Sequence, residues 1–328
     1  MIFVTGANGY VGVHLIQSLC EEGRVVRALV RRGCREDEKV FLAEMGAEVI
    51  EGNVEESNVL LQALEGARTI VHLLGSIERP HETGYRGMHT EKTKRLLRCF
   101  CLSLRASRCG TSISRQTSGG RVIYLSAIGA SPSAGNLYQR TKWESEEEIK
   151  RTGLSYVIVR SSLIFGRETG RRDSKLVRKI ATLARRGNTL PLIGAGRNRV
   201  EPIYIADLVE CLKKAITTSG DRGETWEVGG PDIISMKKLS ITLLRTLGLE
   251  RRIVGIPYII AYVLGIAARL LRKEGNINFE QIKMSRRDNI CVHNKAMECI
   301  GRRMTGVEEG LRRSVHRFGV ESISGVTR

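Results

Sequence analysis

Tyr138 and Lys142 stand four residues apart in a run with a helical period, Tyr138–Arg151. That spacing puts a phenol and an ammonium one turn apart on the same helical face. A phenol so placed can exchange a proton with a carbonyl or an alcohol. The ammonium can hydrogen-bond a sugar hydroxyl and, by its charge, lower the phenol pKa. Ser126 comes earlier, at the end of the apolar run Arg121–Ser126, where it would hold the oxygen of a substrate. The chemistry is acid–base work at a C–O centre, coupled to hydride transfer. A Y-x-x-x-K spacing is common by chance. Its order here, after a strand-end serine and a glycine turn, makes it specific. The alternative is a Tyr–Lys pair on an exposed helix.

A hydride needs a carrier, and the first twelve residues read as a site for one. Met1–Thr5 is a short apolar strand, and a turn with glycines at 6, 9 and 12 leads into a helix from Tyr10 to about Glu22. Gly6 lets the chain turn off the strand. Gly9 removes a side chain where backbone must approach a pyrophosphate, and Gly12 lets the helix lie close to the sheet. Thr5, Gly6, Asn8, Gly9, Tyr10, Val11 and Gly12 are therefore candidate dinucleotide contacts. The helix would aim its unpaired N–H groups at the phosphates.

The second strand, Val25–Val30, ends in Arg31-Arg32-Gly33, with no acid before Glu36. An acid there would hold the adenosine ribose hydroxyls, whereas guanidinium groups pair with a 2′-phosphate. NADP(H) is thus favoured over NAD(H). Asn53 and Val54, past the third strand, fall where adenine would be contacted. Leu74 and Gly75, past the fourth, fall near the ribose and pyrophosphate.

These residues need a parallel sheet to bring them together. Strands and helices alternate through the first half: helix Glu36–Met45, strand Glu48–Glu51, helix Val59–Leu64, strand Thr69–Leu74, and one long helix from Gly87 to Leu104. Strand Leu154–Arg160 follows the Tyr138 helix. The predicted fold class is α/β, a doubly wound parallel Rossmann sheet with a smaller C-terminal α+β substrate lobe. The predicted domains are 1–166 for the dinucleotide and 167–328 for substrate or partner, interleaved with the first. Past Gly166, short strands mix with helices at Ser174–Arg186, Ala206–Thr217 and Val307–Phe318.

The chain has 328 residues, 41% hydrophobic, enough for one large core and an appended lobe. Its eight cysteines form no C-x-x-C pair, so reduced thiols are expected and no metal site. No leader-like segment precedes the first strand, so the expected location is cytoplasmic, with a peripheral place at the inner face of a membrane as an extension. The net charge of +18 fits an anionic membrane surface, an acidic protein partner, or a plain solvated surface. Nucleic acid is disfavoured: aromatics are 5% of the chain, and none interleave with basic runs to stack bases. The strongest charge block, Lys92–Arg121, has eight basic residues and no acidic one, and its end Ser103–Gly120 reads as an exposed loop. Ile253–Leu271 is the most apolar stretch, flanked by arginines and interrupted by Pro257 and Gly265. It reads as a helix, either buried, lying on a bilayer, or spanning one.

From Met1 to about Phe318 the chain resembles the short-chain dehydrogenase/reductase superfamily, in its extended or atypical branch. Gly6, Gly9 and Gly12 match the cofactor turn, and Ser126, Tyr138 and Lys142 match the catalytic positions. The segments Val71–Gly75, Tyr124–Ala130, Arg160–Gly166, Pro202–Asp207, Val228–Pro231 and Arg287–Asn289 narrow the likeness to the NAD(P)-binding accessory subunits of respiratory complex I and their bacterial relatives, beside NmrA-like proteins. The resemblance implies tight NADPH binding and, as in the mitochondrial members, a structural role rather than turnover. His89 stands where related enzymes carry an Asn that relays protons, and Ser161 replaces a common proline.

The expected function is an NADP(H)-binding protein of this superfamily. If active it would be an NAD(P)-dependent oxidoreductase or epimerase, acting on a hydrophobic or quinone-like substrate, or it would serve respiratory complex assembly at a membrane face. The alternative is a non-catalytic dinucleotide-binding scaffold or redox sensor.

Overall fold

Runs of β-branched and apolar residues become strands, and the stretches between them become helices. The computed structural model describes residues 1–75, 82–106, 119–167, 169–170, 174–218, 223–270 and 279–318. The strands of the first half are β1 (Ile2–Thr5), β2 (Val26–Val30), β3 (Glu48–Glu51), β4 (Thr69–His72), β5 (Arg121–Ala127) and β6 (Ser155–Ser161). The helices are α1 (Tyr10–Glu21), α2 (Glu36–Glu44), α3 (Ser57–Ala63), α4 (Glu82–Arg86), α5 (Lys92–Ala106) and α6 (Leu137–Arg151).

The seven-stranded sheet runs Glu224–Val228, β6, β5, β4, β1, β2, β3. β1 pairs in parallel with β2 on one side and β4 on the other, with Thr5 opposite Leu29 and His72. The chain winds outward from β1 to β3, then crosses back to β4. The strand order therefore reverses between β1 and β4, at the crevice where open α/β sheets bind ligands. β1 is buried along its whole length, as a strand covered on both faces must be. β3 lies at the sheet edge and carries Glu48 and Glu51 exposed there, a charge pattern that discourages edge pairing.

One hydrophobic core gathers Phe3, Leu60, Leu64, Ile70, Leu96, Phe100, Val122, Ile149 and Ile158, so α3, α5 and α6 share one side of the sheet. α1 buries Leu15, Ile16 and Leu19. Lys213, on the helix Ile205–Thr217, pairs with Glu22 at 2.5 Å and donates to Ser18 Oγ at 3.1 Å, tying that helix to α1.

The chain divides into two compact units, Met1–Arg160 with Val209–Glu227, and Ser161–Leu208 with Val228–Arg328. Among its described residues the second has only short strand pairs. Thr189–Ile193 pairs in parallel with Arg252–Ile256, Ile164–Phe165 with Ile203–Tyr204, and Arg199–Val200 runs antiparallel to Ile234–Ser235. Buried carboxylates stitch its distant segments: Glu201 accepts from Cys291 N–H at 2.7 Å and Asn294 Nδ2 at 2.6 Å, and Asp207 accepts from Thr305 N–H at 2.7 Å.

Three expectations are corrected. The long helix is interrupted: a π-helical turn, Gly87–Glu91, separates α4 from α5. Thr93 Oγ1 donates to the His89 carbonyl at 2.6 Å, so a side chain holds an oxygen within this widened turn. Ile253–Leu271 is not one helix. Arg252–Ile256 is a strand, since Ile253 and Val254 are β-branched, and Pro257 precedes the helix Tyr258–Leu270. Ser103–Ala106 are helical, the end of α5, and residues 107–118 of that loop lie outside the described residues. Among the described residues no helix is long and apolar enough to cross a membrane.

Candidate active site

The glycine turn is built backbone on backbone. Gly6 has φ +72°, and its carbonyl accepts from Gly9 N–H at 2.9 Å. A Cβ at Gly12 would overlap the carbonyl oxygens of Gly6 and Ala7, so only glycine lets α1 start this close to β1. Gly9 is the N-cap of α1 and offers no side-chain cap, and the first turn carries no acid. The N–H groups of Tyr10, Val11 and Gly12 thus open a helix whose dipole end is available to an anion. This cradle fits a dinucleotide pyrophosphate.

At the end of β2, Arg31 is exposed and forms no ion pair among the described residues. Arg32 is held by Glu56 through two-pronged contacts of 2.6–2.9 Å, which raise the guanidinium pKa and lower that of the carboxyl. Asn53 donates from both its backbone N–H and its Nδ2 to the same Glu56. Val54 is in the core. Asn8 Nδ2 donates to Glu38 Oε2 at 2.7 Å, so an acid from α2 does reach the glycine turn. In the sequence the first acid after β2 is Glu36, the first residue of α2. Glu38 comes into reach only because α2 folds back over the turn.

At the other end, Lys142 is buried beside the strand ends. Its Nζ donates to Leu125 O at 2.7 Å and Leu74 O at 3.3 Å and stands 4.6 Å from the centre of the Tyr124 ring. Burial brings its pKa down to about 7, although Glu146 pulls it upward. A Cβ on Gly75 would lie 3.0 Å from Nζ, so Gly75 leaves the amine room. Tyr138 lies on the same helix with its pKa pushed up to about 12, first by burial and then by the neighbouring Tyr85. This corrects the expectation that Lys142 lowers it. The lysine charge is itself drawn toward neutrality and faces two carbonyl oxygens, so desolvation of the phenol dominates.

Glu146 completes the row Tyr138, Lys142, Glu146 along one face of α6. It is fully buried, accepts from Ser126 Oγ at 2.5 Å and pairs with Arg160 at 2.6 Å. The Ser126 hydroxyl proton is therefore committed to Glu146, and what Ser126 offers a ligand is acceptor capacity.

Two buried histidines lie behind this row. His89 Nδ1 is 2.8 Å from Thr141 Oγ1, and its ring meets Tyr138 edge-on at 5.5 Å. His72 bridges Thr5 Oγ1 at 2.6 Å and Thr93 Oγ1 at 3.0 Å. Because Thr93 gives its proton to the His89 carbonyl, His72 donates from Nε2 and accepts at Nδ1 from Thr5. Burial brings the His72 pKa down to about 3, in keeping with a neutral ring. Thr5, before the glycine turn, is thus linked through His72 and Thr93 to the π-turn that carries His89.

Leu74, Gly75, Ser126 and Lys142 converge at one place, with Tyr138 on the same helix. Gly6, Asn8 and Gly9 form the turn between Thr5, which ends β1, and Tyr10, Val11 and Gly12, which open α1; Arg32 and Asn53 meet at Glu56, and Arg31 directly follows β2. Glu146, His72, Glu38 and Glu56 were missed. Glu146 had a readable signal, one more step of four beyond Lys142. The others had none.

The model of the NAD dependent epimerase/dehydratase family matches residues 2–229. Over 263 residues the chain is 26% identical to NADH dehydrogenase [ubiquinone] 1 alpha subcomplex subunit 9, mitochondrial, of Arabidopsis thaliana, covering 79% of this chain and 60% of that protein. It is 26% identical over 208 residues to the ceramide reductase of Caulobacter vibrioides, covering 63% of this chain and 58% of that one. The chain thus spans about three fifths of the length of these two relatives. The solved UDP-glucose 4-epimerase of Thermotoga maritima superposes with a TM-score of 0.71 at 18% identity, over 97% of this chain and 98% of that one, and shares the fold. With its parallel sheet, its glycine turn and a family match across two thirds of its length, the chain belongs to the NAD dependent epimerase/dehydratase family, the extended short-chain dehydrogenase/reductases.

Proposed function

We propose that this protein is an NADP(H)-dependent oxidoreductase that interconverts a carbonyl and an alcohol on a hydrophobic or quinone-like substrate, at the inner face of a membrane. The observation that carries the reading is Lys142, buried against Leu74 and Leu125 on the helix of Tyr138, with a pKa near neutrality. The bound dinucleotide would supply or accept the hydride. Tyr138, Lys142 and Ser126 are the catalytic set. Tyr138, held protonated, gives its proton to the substrate oxygen. Lys142 orients the nicotinamide ribose and, titrating near pH 7, refills the phenol. Ser126, turned by Glu146, accepts from the substrate hydroxyl.

The Arg31 guanidinium supports NADP(H) over NAD(H): it is exposed and unpaired among the described residues. Arg32 joins it when Glu56 releases it. Gly6, Asn8, Gly9, Tyr10, Val11 and Gly12 hold the pyrophosphate end, with Thr5 behind them in β1, and Asn53, the backbone of Val54, Leu74 and Gly75 hold the adenosine and ribose ends.

Two features favour a second reading, a dinucleotide-binding scaffold in respiratory assembly. One is the likeness to a mitochondrial NADH dehydrogenase subunit. The other is a Tyr138 pKa raised rather than lowered. Tyr138→Phe separates the two. An enzyme loses turnover roughly 10²–10⁴-fold and keeps bound NADPH. A scaffold restores a deletion strain unchanged. Purified protein that holds no NADP(H) and leaves NADPH fluorescence unaltered refutes both.

A further inference from the structure

The helix Tyr258–Leu270 is built inside out. Its inward positions are Tyr258, Ala261, Tyr262 and Gly265, spaced as one helical stripe. Tyr258 Oη donates to Ser285 O at 2.8 Å, and Tyr262 stacks on Phe279 with ring centres 6.1 Å apart. The outward face should then be polar. Instead Ile259 is 78% exposed, Ile260 50%, Val263 58%, Leu264 44% and Ile266 52%. Single exposed aliphatic residues are ordinary, but five on one helix form a patch that implies a contact.

We infer that this face docks on an anionic lipid surface, lying in the interface with its aliphatic side chains among the acyl chains. Charge selects that occupant. Among the described side chains from Arg251 to Arg287 there are five Lys and Arg and one Glu. Arg252 and Arg287 are exposed, and the Arg286 guanidinium sits 5.6 Å from the Tyr258 ring at the helix start. Lys283 is paired with Glu280. A second copy would bring the same cations face to face. A protein partner would meet an outward face with no side-chain polar atom from Ile259 to Ile266 other than the inward Tyr262, whereas protein interfaces carry hydrogen bonds across them. Hydrocarbon asks for neither. With 13 residues the helix is about 20 Å long, too short to cross a core of roughly 30 Å, so it lies along the surface.

This deepens the membrane-face reading above by naming the surface and the lipid charge, and it does not depend on turnover. The test is flotation of the full chain with phosphatidylcholine vesicles, with and without phosphatidylglycerol. The chain floats with the anionic vesicles and not with neutral ones. Ile259→Asp with Val263→Asp lowers the bound fraction at least about tenfold, by removing apolar burial. Arg252→Glu with Arg287→Glu lowers it similarly, at about 1 kcal/mol per cation near the surface. NADPH binding, measured on the same samples, stays at the wild-type level and shows that the variants are folded. Three results overturn the inference: no flotation of the wild type, equal flotation of the variants, or a wild-type dimer that Ile259→Asp with Val263→Asp dissociates. Flotation without NADPH binding would refute the proposed function and leave this inference standing.

Discussion

Ser126 Oγ donates to Glu146 Oε1 at 2.5 Å, joining the end of β5 to α6 one helical turn beyond Lys142. Glu146 also carries the Arg160 ion pair and has no solvent exposure. Removing one member of such a pair leaves a buried charge without its partner. Glu146→Ala should cost about 3–5 kcal/mol of stability. Ser126→Ala should cost about 1–3 kcal/mol, from a buried carboxylate oxygen losing a donor. Urea unfolding midpoints check both.

His72 and Lys142 make stability rise with pH in two separate windows. The unfolded chain protonates His72 near 6.5, whereas the folded chain does so only near 3. Between those values the unfolded state binds more protons, so stability falls as pH falls from 6.5 toward 3. For Lys142 the values are 10.5 unfolded and about 7 folded, so stability climbs from pH 7 toward 10.5. Thermal melts across pH should show His72→Asn flatter than wild type in the acid window and Lys142→Met flatter in the alkaline one.

Glu56 restrains cofactor preference through Arg32. Glu56→Gln weakens the hold on that guanidinium and should tighten NADPH roughly 3–10-fold, with little change for NADH. Arg31→Ala should weaken NADPH roughly 10–100-fold and spare NADH. Fluorescence titration with both nucleotides reads the ratio.

Gly12→Ala places a methyl group against the Gly6 and Ala7 carbonyl oxygens. α1 must then move off the turn. NADPH binding should be lost, with a stability decrease of about 1–3 kcal/mol. Nucleotide co-purification together with a melting curve checks it.

The sheet was legible because its strands are β-branched runs cut by glycine turns, as at Ile2–Thr5 and Thr69–His72. Tyr138 and Lys142 were legible by their spacing. Glu146 was hidden among Glu144, Glu147 and Glu148, where a carboxylate looks like surface charge. His72 sits in an apolar strand and shows its role only once Thr5 and Thr93 are brought to either side of it. A π-turn changes no residue type, so Gly87–Glu91 read as plain α-helix. In Ile253–Leu271 apolarity ran on without a period, and the break at Pro257 separates a strand from a helix rather than kinking one.

The sheet borrows its last strand from far along the chain. Glu224–Val228 covers the outer edge of β6, yet more than forty residues of the second unit come between them in the sequence. During synthesis β6 leaves the ribosome with an open hydrogen-bonding edge and keeps it until Val228 emerges. That interval is when the nascent protein is most prone to pair with a neighbour. A stop codon placed shortly after β6 should therefore yield aggregates, whereas one placed after Val228 lets the sheet close.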